Sequence, residues 1–167
     1  RPLFAQAENA HIHDINLGNV DINMPWANKT APLGEMFKKS TIENIKVTGN
    51  VVGGNDVAGI INKIDGSGKI SNVAFIGKIN SVGNNSTVGG IAGSNYMGFV
   101  NRVYVDATIT ANNANASMLV PFVTYMLNSW KSGTKARVTN SVAKGVLDVK
   151  NTRYVGGIVA KTWPYGA

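Results

Sequence analysis

The stretch Val88-Gly89-Gly90-Ile91-Ala92-Gly93, followed by Phe99-Val100-Asn101-Arg102-Val103-Tyr104-Val105, decides the fold because both parts recur along the chain. Val57-Ala58-Gly59-Ile60 precedes Lys69-Ile70-Ser71-Asn72-Val73-Ala74-Phe75 in the same order, and Val155-Gly156-Gly157-Ile158 begins the unit again. Aligned on one polar position, the anchor column, the units are spaced by 30, 28, 30 and 38 residues. The anchor column consists of Asp14, Asn44, Asn72, Arg102 and Asn140. A period near 30 residues with one insertion predicts a repeat architecture.

Apolar residues alternate within each unit, as at Val73, Phe75 and Ile79, and this is the periodicity of β-strands. No amphipathic helical spacing is sustained between these runs, and β-branched residues dominate them. Charged residues make up only 15% of the chain while glycines number 19, a balance that suits strands joined by turns. The sequence therefore predicts an all-β protein.

Each unit offers about three short strands: the glycine motif, the Ile-x-Asn-Val segment, and the segment after the glycine five residues beyond the anchor. Three strands suit a triangular solenoid, whereas a propeller blade needs about 40 residues and repeated aromatic signals. We therefore predict a right-handed parallel β-helix of about five coils, with the hand following the usual crossover rule. We expect residues 1–167 to form a single solenoid domain that is a fragment of a larger protein.

The anchor column predicts the inner structure of one corner. Asn44, Asn72 and Asn140 would stack there as a ladder of hydrogen-bonded amides, interrupted by Arg102. Glycine tolerates positive φ, so the coil is expected to turn where glycine follows the anchor by five residues. Those positions are Gly49, Gly77 and Gly145.

The fourth unit carries an insertion, residues 123–135, which we expect to project as a loop. It combines aromatic and basic residues in the way that contact surfaces do. The candidate contact surface is Tyr125, Trp130, Lys131, Lys135 and Arg137. The alternative is a short helical cap in which Met126 and Leu127 fold over the coil edge.

The net positive charge lies almost entirely in the last third of the chain. Residues 118–167 contain seven Lys or Arg against one acid, whereas residues 1–117 contain nine against eight. A basic end attracts acidic polymers or anionic surfaces, although a lysine-rich solvated face gives the same pattern. No apolar run is long enough to span a membrane, and the absence of cysteine excludes disulfides and thiolate sites.

The sequence contains no recognisable catalytic, metal-binding or cofactor-binding motif. His11 and His13 share a strand face, but Asp14 is expected to face the other way, so we assign no metal. The acids Asp56, Asp65, Asp106 and Asp148 occupy different places in their units, which disfavours a β-helical carbohydrate-active enzyme with paired carboxylates. Aromatic residues do not interleave regularly with basic ones, so nucleic-acid binding is not expected.

The repeat Val-Gly-Gly-Ile-Ala-Gly with Ile-x-Asn-Val resembles the GLUG-type repeats of bacterial surface proteins. Four segments of the first units, listed next, resemble the non-catalytic N-terminal region of streptococcal zinc metallopeptidases that cleave immunoglobulin A. They are Pro2-Leu3-Phe4, residues 10–17 (Ala-His-Ile-His-Asp-Ile-Asn-Leu), Ala31-Pro32-Leu33-Gly34 and Ile42-Glu43-Asn44-Ile45. The resemblance extends over essentially the whole chain.

This resemblance implies a secreted or cell-wall-attached virulence protein of a Gram-positive bacterium, whose catalytic zinc is bound elsewhere in the polypeptide. No catalytic residue carries over to this segment. The implied function is a scaffold or substrate-positioning module, with the immunoglobulin A heavy chain or the catalytic domain of the same polypeptide as partner. The alternative is an adhesin-type module that binds host glycan or matrix.

Overall fold

The computed structural model describes residues 2–84, 86–112, 114–126 and 136–165, and within them the chain winds through three sheets in the same order. It passes through all three sheets five times and then enters the first sheet again. The strand pairings within these ranges are parallel. The all-β parallel solenoid predicted from the repeat is confirmed, while its right-handed sense stays a prediction.

Sheet A contains the first strand of each coil. Its strands are β1 (Phe4–Glu8), β4 (Gly34–Lys38), β7 (Ile61–Asp65), β10 (Ala92–Tyr96), β13 (Val120–Met126) and β17 (Val159–Tyr165). The sequence reading did not separate these strands from the glycine motif. The motif in fact spans a corner, because Val88 and Gly89 end a strand of sheet C and Ala92 begins β10.

Sheet B contains the long strands and carries the anchor column. Its strands are β2 (His11–Met24), β5 (Thr41–Gly53), β8 (Lys69–Ser81), β11 (Phe99–Asn112), β14 (Arg137–Thr139) and β15 (Val142–Lys150). In the middle coils, the Ile-x-Asn-Val segment and the segment after the later glycine belong to one bent strand. They are therefore two facets of sheet B and not two sheets.

Sheet C contains the shortest strands and closes the triangle. Its strands are β3 (Lys29–Thr30), β6 (Asp56–Ala58), β9 (Ser86–Gly89), β12 (Ala114–Ser117) and β16 (Val155–Gly156). Glycine is required at the turn that follows β9, because a Cβ on Gly90 would overlap the carbonyl oxygen of Met118 in the next coil. The glycine run thus serves close packing of coil on coil.

The core is a column of aliphatic and aromatic side chains enclosed by the three sheets. Ile70, Phe75 and Ile79 of β8 point inward and are at most 1% exposed, as the alternation predicted. The strand register places equivalent residues directly above one another, for example Ile42 above Ile70. Burying one such side chain stabilises the fold by about 1.5–3 kcal/mol, so the stacked column provides much of the favourable free energy of folding.

The first coil contains an extra residue that the alignment of units did not show. The register between β2 and β5 shifts after Leu17, so that Val20 and not Asn19 lies beside Gly49. Asn19 adopts a φ of 55°, and this bulge turns Ile22 rather than Asp21 toward the core. Asp21 therefore lies beside Asn50, and Ile22 lies beside Val51.

The insertion expected at 123–135 begins as regular structure. Residues 123–126 continue β13, with Val123 beside Asn95 of β10 and Thr162 of β17. They therefore extend sheet A instead of projecting from it. Residues 127–135 lie outside the described residues.

Candidate functional site

The anchor column forms one corner of the solenoid, and all five of its residues adopt left-handed backbone conformations. Their φ values lie between 48° and 57°. Asparagine and aspartate tolerate this conformation better than other side chains with a Cβ, because their short polar groups hydrogen-bond locally. Local backbone strain therefore explains the residue types of the column before any role in binding is considered.

Amide side chains connect successive coils at this corner. Asn44 Nδ2 donates to Asp14 Oδ1 at 2.9 Å, and Asn72 Nδ2 donates to Asn44 Oδ1 at 2.7 Å. Arg102 follows in the next coil and adds no amide to the column. Asn140 instead donates through Nδ2 to Asn101 Oδ1 at 3.0 Å, so it bonds beside the column and not to Asn72.

A second set of asparagine contacts, which the sequence analysis missed, lies at the corner between sheets B and C. Asn55 Nδ2 donates to Asn28 Oδ1 at 2.9 Å, and Asn151 Nδ2 donates to Asn112 Oδ1 at 3.0 Å. The sequence does contain a pattern for these contacts, since asparagine recurs shortly before each glycine motif. An alignment of the units on the anchor column alone does not show this second column of asparagines.

The two histidines lie on the outer face of the first coil and are engaged by carboxylates. His11 Nε2 lies 2.6 Å from Glu43 Oε1, and His13 Nδ1 lies 2.7 Å from Asp14 Oδ2. The expectation that Asp14 faces away from His13 was wrong, because the φ of 57° at Asp14 breaks the strand alternation. The hydrogen bonds from His13 and then from Asn44 hold the pKa of Asp14 below its usual value.

A metal site requires several His, Cys, Asp or Glu side chains close together. Among the described ranges, no three His, Cys, Asp or Glu side chains are grouped in a way that could hold a metal ion. The arrangement around His11 and His13 is explained by paired hydrogen bonds on an exposed surface. The described residues therefore do not fit a zinc site, and no zinc chemistry is assigned to them.

The carboxylates are distributed over different sheets and have local partners. Asp65 lies on sheet A, 3.3 Å from Lys63 Nζ, while Asp56 on sheet C accepts hydrogen bonds from Thr87. Asp106 on sheet B lies 2.8 Å from Lys144 Nζ, and this hydrogen bond raises the pKa of Lys144. No two of these acids converge on a common groove, so general acid and base catalysis by a carboxylate pair is not supported.

The candidate contact surface is only partly described. Arg137 begins β14 and is exposed, while Tyr125 lies on β13 with its backbone beside Pro164 of β17. Trp130, Lys131 and Lys135 lie outside the described residues, as does Leu127 of the alternative cap; the other cap residue, Met126, ends β13.

The last coil is basic, and two of its cations contact an aromatic ring. Residues 136–165 contain Arg137, Lys144, Lys150, Arg153 and Lys161 but one acid, Asp148. The side chains of Lys161 and Arg153 lie 4.4 and 5.4 Å from the ring centroid of Tyr154. This combination of an aromatic face with cations creates a positive surface at one end of the solenoid.

The matching family model and the related proteins described below are all metallopeptidases. Residues 1–49 match the family model described as the M26 IgA1-specific metallo-endopeptidase N-terminal region. Over 99% of the chain, it is 48% identical to zinc metalloprotease ZmpB and 29% identical to zinc metalloprotease ZmpC, both of Streptococcus pneumoniae. The chain spans 9% of the length of each of these curated relatives.

No solved structure matches the chain significantly. Within the described ranges, no helix is long and apolar enough to cross a membrane. The resemblance stated from the repeat and the first units is thus confirmed by the sequence comparisons. Over almost its whole length, the segment is similar to part of two streptococcal zinc metalloproteases, and its first 49 residues match the model of the M26 metallo-endopeptidase N-terminal region.

Proposed function

We propose that this segment is a non-catalytic β-helical accessory module of a zinc metalloprotease that cleaves host immunoglobulin A. The observation that carries the proposal is the 48% identity over 99% of the chain to a zinc metalloprotease of which it spans 9%. The described residues provide no grouping suited to a metal. In this proposal, the zinc and the catalytic residues belong to another part of the same polypeptide.

The architecture suits a scaffold or substrate-positioning role. A parallel solenoid with a buried, stacked apolar core is a stiff rod whose three outer faces present side chains at fixed spacings. The proposed partners are the immunoglobulin A heavy chain and the catalytic domain of the same polypeptide. The proposed setting is extracellular, with the protein secreted or attached to the cell wall of a Gram-positive bacterium.

The test has a binding arm and a cleavage arm. Surface plasmon resonance would measure binding of the 167-residue chain to immunoglobulin A and to a catalytic fragment of the relative. Cleavage of immunoglobulin A would be compared between the whole relative and the same protein without this segment. We expect binding to at least one partner and slower cleavage after deletion. If the chain bound neither partner and cleavage were unchanged, the substrate-positioning role would be wrong and the segment would be a spacer.

A matched pair of charge reversals sharpens the binding arm. Arg137→Glu alters the exposed basic last coil, whereas Lys29→Glu alters an exposed cation in the first coil. If the last coil carries the contact, the first variant weakens binding and the second leaves it unchanged. Equal effects of both variants would contradict a localised contact.

A second candidate function is an adhesin-type module for host glycan or matrix, favoured by the excess of cations in the last coil. Tyr125, Trp130, Lys131, Lys135 and Arg137 form its proposed contact surface. Replacing Trp130, Lys131 and Lys135 by alanine should abolish binding to a sulfated glycan such as heparin, measured by affinity chromatography in rising salt. Retention at unchanged salt would exclude this surface.

A further inference from the structure

The outer face of sheet B carries a polar groove that no function assigned above uses. It has a volume of about 420 Å³ and crosses the second half of strands β2, β5, β8 and β11. Two rows of side chains line it. The first row is Asp21, Asn50, Lys78 and Thr108, and the second is Asn23, Val52, Asn80 and Thr110.

The polar side chains of this groove differ from the corner asparagines in having no side-chain partners among the residues that the structure describes. Asn44, Asn55 and Asn72 bond to amides or carboxylates of neighbouring coils. By contrast, the side chains of Asn50, Asn80 and the other polar residues of the two rows make no hydrogen bond or ion pair with any described residue. Their amide and hydroxyl groups are available to a ligand.

The backbone beneath the groove is rigid and cannot itself accept a peptide strand. Strands β5 and β8 are central in sheet B, and each is hydrogen-bonded to a neighbour on both sides. Binding by strand addition needs a free sheet edge, which this face does not provide. Apart from Val52, the outward side chains are polar, so the groove also lacks pockets for the apolar side chains of a peptide.

The charges of the groove are balanced. Asp21 and Lys78 lie in the same row, separated by the coil that contributes Asn50. A polyanion requires an excess of cations, and a nucleic acid also requires aromatic platforms. Neither is present among the lining residues. The chemistry therefore favours a neutral ligand with many hydroxyl groups.

We propose that this groove binds a neutral oligosaccharide laid across the coils, with Asn50 and Asn80 as its central contacts. Strands repeat at about 4.8 Å, so the four strands place donors and acceptors over about 14 Å at regular intervals. Amide groups can donate to one sugar hydroxyl and accept from another. Because none of the described residues that line the groove is aromatic, the expected dissociation constant is about 1 mM. This inference does not rest on the protease role.

The test is an NMR titration of the isotope-labelled 167-residue chain with maltohexaose, cellohexaose and chitohexaose at millimolar concentrations. We expect saturable shift changes confined to the amides of residues 20–24, 50–53, 78–81 and 108–111 with at least one probe. The double variant Asn50→Ala/Asn80→Ala should weaken that binding at least tenfold. Asn16→Ala, an exposed asparagine on the neighbouring facet of sheet B, is the matched control and should leave it unchanged.

Other outcomes would overturn the inference. They are no shift changes with any of the three probes, changes located outside the groove, and equal weakening by the double variant and the control. A hyaluronan oligosaccharide that binds here while the neutral probes do not, and that loses binding on Lys78→Ala, would replace it with an anionic ligand. Unchanged thermal melting of the variants shows that a lost signal reports binding and not unfolding. None of these outcomes affects the cleavage test of the proposed function.

Discussion

The middle coils and the first coil have the same inward pattern of residues but differ in how well they bury it. Ile42 and Ile45 in the second coil are 1% and 2% exposed, whereas their register partners Ile12 and Ile15 in the first coil are only partly buried. The reason is geometric, because a middle coil is covered on both sides and an end coil on one. In such a stack, stability is a sum over neighbouring coils, and a residue's contribution depends on its place in the stack.

The largest expected effect comes from shortening the same core residue in the two regions. Ile70→Ala removes a fully buried side chain from the third coil and should lower the free energy of unfolding by about 2–5 kcal/mol. Ile12→Ala, two coils away in the same column, should lower it by clearly less because Ile12 is already partly exposed. Urea denaturation followed by circular dichroism measures both. Equal losses would show that the end coil is as closed as the middle.

The next largest difference is expected between a glycine of a middle coil and a glycine of the first coil. Gly77 has a φ of 152°, and a Cβ there would overlap the carbonyl oxygen of Gly49 in the neighbouring coil. Gly77→Ala should therefore cost at least about 1–3 kcal/mol of backbone strain. Gly18, in the first coil, has no atom within 4 Å of the Cβ position, so Gly18→Ala should be neutral or stabilise by up to about 1 kcal/mol. Thermal denaturation of the two variants compares them, and a tolerated Gly77→Ala would contradict the close approach of the coils.

The break in the asparagine ladder predicts a stabilising substitution. Arg102 has a φ of 52° but no amide to continue the bonds between Asn44 and Asn72. Arg102→Asn should raise the free energy of unfolding by about 0.5–1 kcal/mol, because asparagine suits this backbone and adds a hydrogen-bonding group. Arg102→Ala, which has neither advantage, is the control. The interpretation fails if both variants have the same melting temperature.

The smallest effect concerns the pH dependence of the first coil. The folded-state pKa of Asp14 lies below 3.8, so its ionised form stabilises the fold above that pH and this contribution is lost as the pH falls through the folded-state pKa. Asp14→Asn should remove that part of the acid sensitivity while keeping an acceptor for Asn44. Melting temperatures from pH 5 down to pH 2 test this. The effect is small because the Asp14 side chain is largely exposed to solvent. A variant as acid-sensitive as the parent chain would assign the sensitivity to other carboxylates.

Much of the fold could be predicted from the sequence repeat. The inward positions of Ile70, Phe75 and Ile79 followed from alternation, since a side-chain period of two allows only one buried face. The turn glycines Gly49 and Gly77 followed from their place in the unit, and both adopt positive φ. These features are local, so the sequence of a single unit specifies them. Their recurrence in successive units makes them predictable from the sequence.

Other features depended on how the coils stack. The alternation of apolar residues does not mark where one strand bends and another begins. It therefore does not distinguish the strands of sheet A from the glycine motif, and it predicts two strands where each middle coil has one long strand of sheet B. The extra residue at Asn19 moved Ile22 inward through a bulge that only pairing with β5 reveals. The insertion was expected to leave the solenoid, but residues 123–126 pair with β17, and residues 123–124 pair with β10 as well.

The sequence alone determined that this chain is a parallel solenoid with a period near 30 residues and that it resembles a segment of zinc metallopeptidases. Both conclusions rest on patterns along the chain. Only the tertiary structure decided which polar side chains form hydrogen bonds between coils and which line the groove without such bonds to the described residues. Asn44 and Asn50 are both exposed asparagines of β5, yet the first bonds to neighbouring coils and the second faces the groove. Residues about 30 positions apart become neighbours only when the coil closes, and that closure locates the candidate binding surface.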